Sequence, residues 1–167
     1  MRILTLGHKE LLKVSDPVED INGVLVRQIE SMFKLMIEKN GLGLAAPQVN
    51  LHKRFFVVHL KDPETRMVLI NPRILAVRSK EEILEEGCLS IPGIYGPVSR
   101  PMGVTVRYMD IDAREKEIKV KGLLARVILH EYDHLDGKLF ISRLAPDYLE
   151  QLTTELNKVR CLKKAAP

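Results

Sequence analysis

Gly122-Leu123-Leu124-Ala125-Arg126-Val127-Ile128-Leu129-His130-Glu131-Tyr132-Asp133-His134-Leu135-Asp136 is the stretch on which the reading of this chain turns. It predicts a helix, and Gly137 after it marks the C-terminal stop. Leu123, Leu124, Val127, Ile128, Leu129 and Leu135 leave little of the circumference polar, so the helix is expected to be buried. His130 and His134 stand four apart and share one face. Two imidazoles stacked this way can grip one metal ion. Glu131 is turned about 100° from His130, so it can flank the ion without ligating it and take a proton from water. The pattern points to a metal hydrolase with a carboxylate base. Hydrogen-bonded core histidines are the plainer alternative. Buried polar groups without partners are costly, however, and a metal supplies the partner.

Two histidines do not complete a catalytic site, which usually has three protein ligands and water. A third His three residues after Gly137 would continue one known pattern, but that residue is Phe140. A Glu from a later helix would serve instead, with Glu150 and Glu155 as candidates. A cysteine is the third option. Cys88 lies in Glu85-Glu86-Gly87-Cys88-Leu89-Ser90-Ile91-Pro92-Gly93, which reads as a constrained turn rather than a regular element. Cys161, among Lys158, Arg160, Lys163 and Lys164, reads as a bystander.

Gly41-Leu42-Gly43-Leu44-Ala45-Ala46-Pro47-Gln48 satisfies a dinucleotide fingerprint by its letters. That fingerprint must follow a strand and open a helix. Here Leu25, Ile29, Met32, Phe33 and Met36 fall at helical spacing before it, with Gly41 as the stop. Two readings remain: a tight structural turn, or a close approach of backbone to a ligand that glycine permits.

Taken in order, Gly41–Gln48, Glu86-Gly87-Cys88-Leu89-Ser90 and His130-Glu131-Tyr132-Asp133-His134 resemble the three motifs of the peptide deformylase family, over nearly the whole chain. The resemblance implies an enzyme, a metal-dependent hydrolase that removes the N-terminal formyl group from formyl-methionine of newly synthesised proteins. It implies Cys88, His130 and His134 as metal ligands and Glu131 as general base and acid. Gln48 and the backbone N–H of Leu89 would hold the formyl oxygen. Leu42 and Gly43 would meet the substrate backbone, and Leu84, Leu123 and Val127 would line the methionine pocket. The implied cofactor is one divalent ion, Fe(II) physiologically, with Zn(II), Ni(II) or Co(II) able to substitute. A soft thiolate beside two imidazoles fits those ions better than Mg(II) or Ca(II). The implied partners are N-formyl-methionyl nascent peptides; the basic C-terminus reads first as a solvated complement to a helix C-terminus, with a transient ribosome contact as the alternative that the resemblance suggests. Two departures stand out. Leu129 replaces the Gln that many members carry before the first His, and Arg126 puts a cation near the methionine pocket. Arg126 could equally be a snorkelling surface side chain.

Composition bounds the rest. The 167 residues are expected to form one domain, residues 1–167, with a fold of the α+β class. Antiparallel sheets would pack around the central metal-binding helix, between an N-terminal helix over about 23–40 and a C-terminal helix from about Pro146. Strands are expected at 54–60, 68–71, 73–77, 104–110 and 117–121, with hairpin turns at 61–64 and 112–114. The net charge of +4 is mild and argues for no DNA partner. No stretch predicts a signal peptide or a membrane span. With two cysteines and no disulfide framework, a cytoplasmic setting is expected. Two other functions remain compatible with the residues: an endopeptidase using Glu150 or Glu155 as third ligand, and a non-catalytic metal-binding module.

Overall fold

The protein is described by a computed structural model over residues 1–162, except for the side chains at 63 and 160–162. The readings of Cys161, Arg160, Lys163 and Lys164 fall outside the described residues.

Helix α1 (Gly23–Glu38) starts where Asn22 accepts the N–H groups of Val24 and Leu25 at 3.0 and 3.1 Å. Its stripe of Leu25, Ile29, Met32, Phe33 and Met36 is buried, as the spacing predicts. It ends two residues before the expected Asn40, and Asn40 (φ 57°) takes the left-handed turn assigned to Gly41.

Strands β1 (Gly43–Ala45), β2 (Phe55–Val58), β3 (Met67–Val77), β6 (Gly103–Met109) and β7 (Glu115–Lys121) form one antiparallel sheet in that spatial order. All four residues of β2 are buried because the sheet is covered on both faces. Phe55 and Val57 join the core under α1; Phe56 and Val58 face the other way, toward helix α2 (Gly122–Leu135). The two short strands expected at 68–71 and 73–77 are a single strand. Asn71 (φ 49°) sits at a bulge there, and the ladder resumes at Arg73 opposite Arg107. Pro72, which has no N–H to donate, falls within this bulge.

A hairpin of β4 (Glu81–Cys88) and β5 (Ile91–Pro101) forms a separate two-stranded sheet. The sequence did not predict it. Its charged run and its prolines resemble loop, yet β5 alternates buried Ile94, Gly96, Val98 and Arg100 with exposed neighbours. Cys88 therefore ends a strand and does not sit in an irregular turn. Helix α2 lies between this hairpin and the larger sheet. The C-terminal helix expected from Pro146 is two helices, α3 (Pro146–Gln151) and α4 (Thr153–Leu162). No helix among the described residues is long and apolar enough to cross a membrane.

Helix α2 ends as its sequence predicts. Gly137 (φ 68°) donates to the His134 carbonyl, and Lys138 donates to that of Asp133, at 3.2 and 2.9 Å. A Cβ on Gly137 would meet the Leu12 carbonyl oxygen at 2.5 Å. Gly137→Ala therefore combines a left-handed residue with a backbone clash, costing about 1–3 kcal/mol. The expected result is a melting temperature lower by about 3–10 °C, read by circular dichroism, since 1 kcal/mol shifts a domain of this size by about 2–4 °C.

Candidate metal centre

Two elements deliver three donors to one point. The helical period brings His130 and His134 to one side of α2, and β4 ends at Cys88 against that side. Ligand atoms of Cys88, His130 and His134 all lie within 4.8 Å of one another. Cys88 Sγ is 3.2 Å from His134 Nε2. The imidazole centroids are 5.1 Å apart. Glu150 and Glu155 are exposed on α3 and α4 and do not join this group, which removes the later-helix ligand alternative. Phe140 is a packing partner, stacked on the His130 ring at 6.3 Å between centroids.

The cluster is built for a cation. Glu131 Oε2 and His134 Nδ1 are buried without hydrogen-bond partners. Thiolate and imidazole are donors that suit Fe(II), Zn(II) and neighbouring ions. Burial works against the imidazolium of His130, but hydrogen bonds to Cys88 and Glu86 outweigh it and hold its pKa at about 10. His134 behaves in the opposite way. Burial, then the charges of His130 and Arg100, keep it well below the usual histidine range. Glu131 is lifted to about 7 by burial, which the charges of His130 and Arg100 only partly offset. A carboxylate near neutrality suits proton transfer in both directions.

Glu131 also has no room on its flank. A Cβ on Gly43 would lie 2.5 Å from Glu131 Oε1, so only glycine lets the β1 edge pass the carboxylate. The close approach that glycine permits in the Gly41–Gln48 segment is therefore to the Glu131 side chain. The segment forms β1 followed by a 3₁₀ turn at Ala46–Val49, not a phosphate loop. Gln48 is buried within that turn. Its Oε1 accepts the Ala45 N–H at 2.7 Å, and its Nε2 donates to Ser90 Oγ at 3.1 Å and toward Cys88 Sγ at 3.4 Å.

A cleft of about 730 Å³ opens over the cluster. Its lining includes Leu42, Gly43, Leu89, Leu123 and Val127 among the residues expected at the substrate. Leu84 is not among them. It is 43% exposed on β4, and the lining of the cleft stops at Glu85. Arg126 occupies the space between helix and strand there, reaching the carbonyls of Glu82 and Val98. Arg126 is thus buried rather than snorkelling, and its charge is matched inside the protein.

The sequence did not single out the ionic groups behind the ligands. Glu86 accepts Arg100 Nε and Nη2 at 2.7 and 2.9 Å and faces His130 Nδ1 at 2.9 Å. Arg100 also donates to Asp133 at 2.8 Å, and Asp133 accepts from Arg143. Burial would raise the pKa of Glu86, but its bonds to His130 and Arg100 bring it down to about 2. A signal for Glu86 did exist: it lies two residues from Cys88, hence on the same face of a strand. Arg100 carried no local signal, because its partners are distant in sequence.

A family model described as polypeptide deformylase matches residues 1–149. Peptide deformylase 2 of Xanthomonas campestris pv. campestris is 43% identical over 146 residues, covering 87% of this chain and 85% of that protein. A solved peptide deformylase from Plasmodium falciparum superposes with a TM-score of 0.94 at 34% identity, covering 99% of each chain. One from Legionella pneumophila gives 0.90 at 38%, covering 99% of this chain and 98% of that one.

Proton release tests the cluster directly. His130 is protonated below about pH 10 in the metal-free protein and must be neutral to ligate, whereas His134 is already neutral. Binding Zn(II) at pH 7 should therefore release at least one proton per ion. Affinity should climb with pH by about tenfold per unit between pH 6 and 8. Titration in weak buffer with a pH indicator reads the first quantity. Absence of release would remove His130 from the ligand set.

Proposed function

The chain belongs to the peptide deformylase family, and on that premise we propose a residue-level account of its chemistry. The protein is an enzyme that removes the N-terminal formyl group from formyl-methionine of newly synthesised proteins. It is a metalloenzyme with a Cys/His/His cluster. The observation that carries the proposal is the convergence of three soft and borderline donors beside a buried carboxylate with one oxygen unpartnered.

In this account Cys88, His130 and His134 hold the ion. When bound, it supplies a Lewis acid that polarises a carbonyl and acidifies water. Glu131 accepts the proton of the attacking water and passes it to the leaving amine. Burial holds its pKa above the usual carboxylate range, which strengthens it as a base. Gln48 Nε2 and the N–H of Leu89 stabilise the developing negative charge on the formyl oxygen. The Gln48 hydrogen directed at Sγ makes only a long contact of 3.4 Å and is the one available to substrate. Its carbonyl is anchored by the Ala45 N–H, so the amide cannot flip. Leu42 and Gly43 border the cleft from the edge strand β1, where an extended peptide finds backbone partners. Leu123 and Val127 offer apolar surface for the methionine side chain.

Fe(II) is the proposed ion on the strength of the family resemblance; the mixed thiolate and imidazole donors suit it and Zn(II) alike. The activity is placed in the cytoplasm, where a thiolate ligand stays reduced. Residues 1–167 are read as one catalytic domain. A transient ribosome contact through the basic C-terminus is part of the same account. There Lys158 is exposed on α4, and the other cations lie outside the described residues. Assay of the purified protein on a formyl-Met peptide, with metal analysis under anaerobic conditions, tests the whole. No turnover by a protein carrying one ion would overturn it.

Two substitutions separate the roles. Glu131→Gln should keep the ion and lose about 10²–10⁴-fold in kcat, since the amide cannot accept the proton. Near-normal turnover with metal bound would remove Glu131 from the chemistry. Gln48→Ala should lower kcat by about 10²–10³-fold with metal retained. Loss of the ion or of the fold as the main effect would make Gln48 structural.

A further inference from the structure

Arg126 lies one turn before His130 on α2 and is almost fully buried, with 8% of its side chain exposed. Its guanidinium makes three hydrogen bonds. Nη1 donates to Glu86 Oε1 at 2.7 Å and to the Val98 carbonyl at 3.0 Å; Nη2 donates to the Glu82 carbonyl at 2.6 Å. His130 Nδ1 takes the other oxygen of the same carboxylate, Oε2, at 2.9 Å. Residues i and i+4 of one helix therefore clasp opposite oxygens of one side chain. That side chain is two residues before Cys88 on β4.

The placement matters because of topology. The hairpin that carries Cys88 is not hydrogen-bonded into the five-stranded sheet. No backbone ladder joins it to the helix that carries the two histidines. Arg126 touches both strands of the hairpin, through Glu82 and Val98, and the carboxylate that holds His130. Arg100 grips both oxygens of Glu86 as well, but from the hairpin side, because it belongs to β5. Of the two arginines on Glu86, Arg126 is the one that comes from the helix.

We propose that Arg126 is a positioning residue of the metal centre. By clamping Glu86 and the two hairpin carbonyls, it sets the orientation of the His130 ring and the separation between His130 and Cys88. The inference rests on Cys88, His130 and His134 being the ligands. A lysine could not replace Arg126 fully, because an ammonium is a point charge without the planar fork that spans three acceptors. Although Arg126 lines the cleft, its donors are directed at the hairpin, so its charge is not offered to substrate.

The test uses the Co(II)-loaded enzyme. Arg126→Met, Arg126→Lys, Glu86→Gln and the double variant Arg126→Met with Glu86→Gln are compared with wild type. The readouts are metal affinity by chelator competition, the visible Co(II) spectrum, and kcat and KM on a formyl-Met peptide. Arg126→Met should bind the ion about 10–100-fold more weakly. It should also alter the Co(II) spectrum and lower kcat, with KM within about twofold. Arg126→Lys should fall between it and wild type. In the Glu86→Gln background, Arg126→Met should weaken binding by a smaller factor than in the wild-type background, because part of its effect passes through Glu86. Wild-type affinity and spectrum in Arg126→Met would overturn the proposal, as would a change confined to KM or independent effects in the double variant. Should Arg126→Met fail to fold, wild-type affinity and spectrum in Arg126→Lys would overturn it. The ligand assignment is judged separately on the parent protein. If His134→Ala retained the ion with unchanged affinity, that assignment would fail whatever the Arg126 variants did.

Discussion

A buried carboxylate needs every lone pair engaged, and Glu86 has four donors for its two oxygens. Arg100 Nε and Arg126 Nη1 serve one oxygen; Arg100 Nη2 and His130 Nδ1 serve the other. Taking such charges out of water is costly, and the mutual attraction repays it only when geometry and hydrogen bonding are complete. Breaking one partner out of a buried pair typically costs about 3–5 kcal/mol, because the remaining charge is stranded. The β4–β5 hairpin therefore has one well-defined seat on the helix. The three core clusters pack apolar surface around this seam, but apolar packing alone is non-directional and would not fix where Cys88 points.

The helix α2 divides its circumference accordingly. Ala125, Ile128, Leu129 and Leu135 pack in the core shared with the sheet. Arg126, His130 and Asp133, at positions i, i+4 and i+7, meet the ionic groups of the hairpin. Asp133 extends the seam by one turn through Arg100 and Arg143. A helix buried on both sides usually reads as hydrophobic throughout. This one carries charge on a buried face because the opposing hairpin brings the complementary charge with it.

The same seam makes the two histidines unlike each other. Hydrogen bonds to Cys88 and to the Glu86 carboxylate behind it raise the pKa of His130 to about 10, whereas burial and the charges of His130 and Arg100 keep that of His134 well below the usual range. With Nδ1 of His130 committed to Glu86, its Nε2 is left for the ion, which is how outer-shell carboxylates orient metal-binding imidazoles. Glu131, rotated away from both, is buried against Gly43, and burial raises its pKa to about 7. Three neighbouring residues of one helix turn thus acquire different proton affinities from different surroundings.

Periodicity and short motifs determined a good part of this protein. The spacing of Leu25, Ile29, Met32, Phe33 and Met36 placed α1. The His130–His134 interval put both rings on one face, and Gly137 ended the helix where expected. These are local properties: helical repeat, capping and left-handed backbone act within a few residues. Turns at 61–64 and 112–114 likewise separate paired strands, β2 from β3 and β6 from β7. The tertiary structure decided what depends on distant partners. It made Glu81–Cys88 a strand by pairing it with β5, although Glu81, Glu82, Glu85 and the prolines opposite have weak strand preference. It carried β3 through Pro72 with a bulge, and it left Leu84 beyond the cleft. It converted Arg126 from a candidate surface side chain into part of a buried clamp, because its three acceptors come from Glu82, Glu86 and Val98, 28 to 44 residues away in sequence. A linear pattern records which face of an element is apolar. It does not record which charge will be waiting on the neighbouring element, and in this protein that match positions the histidine and the cysteine together.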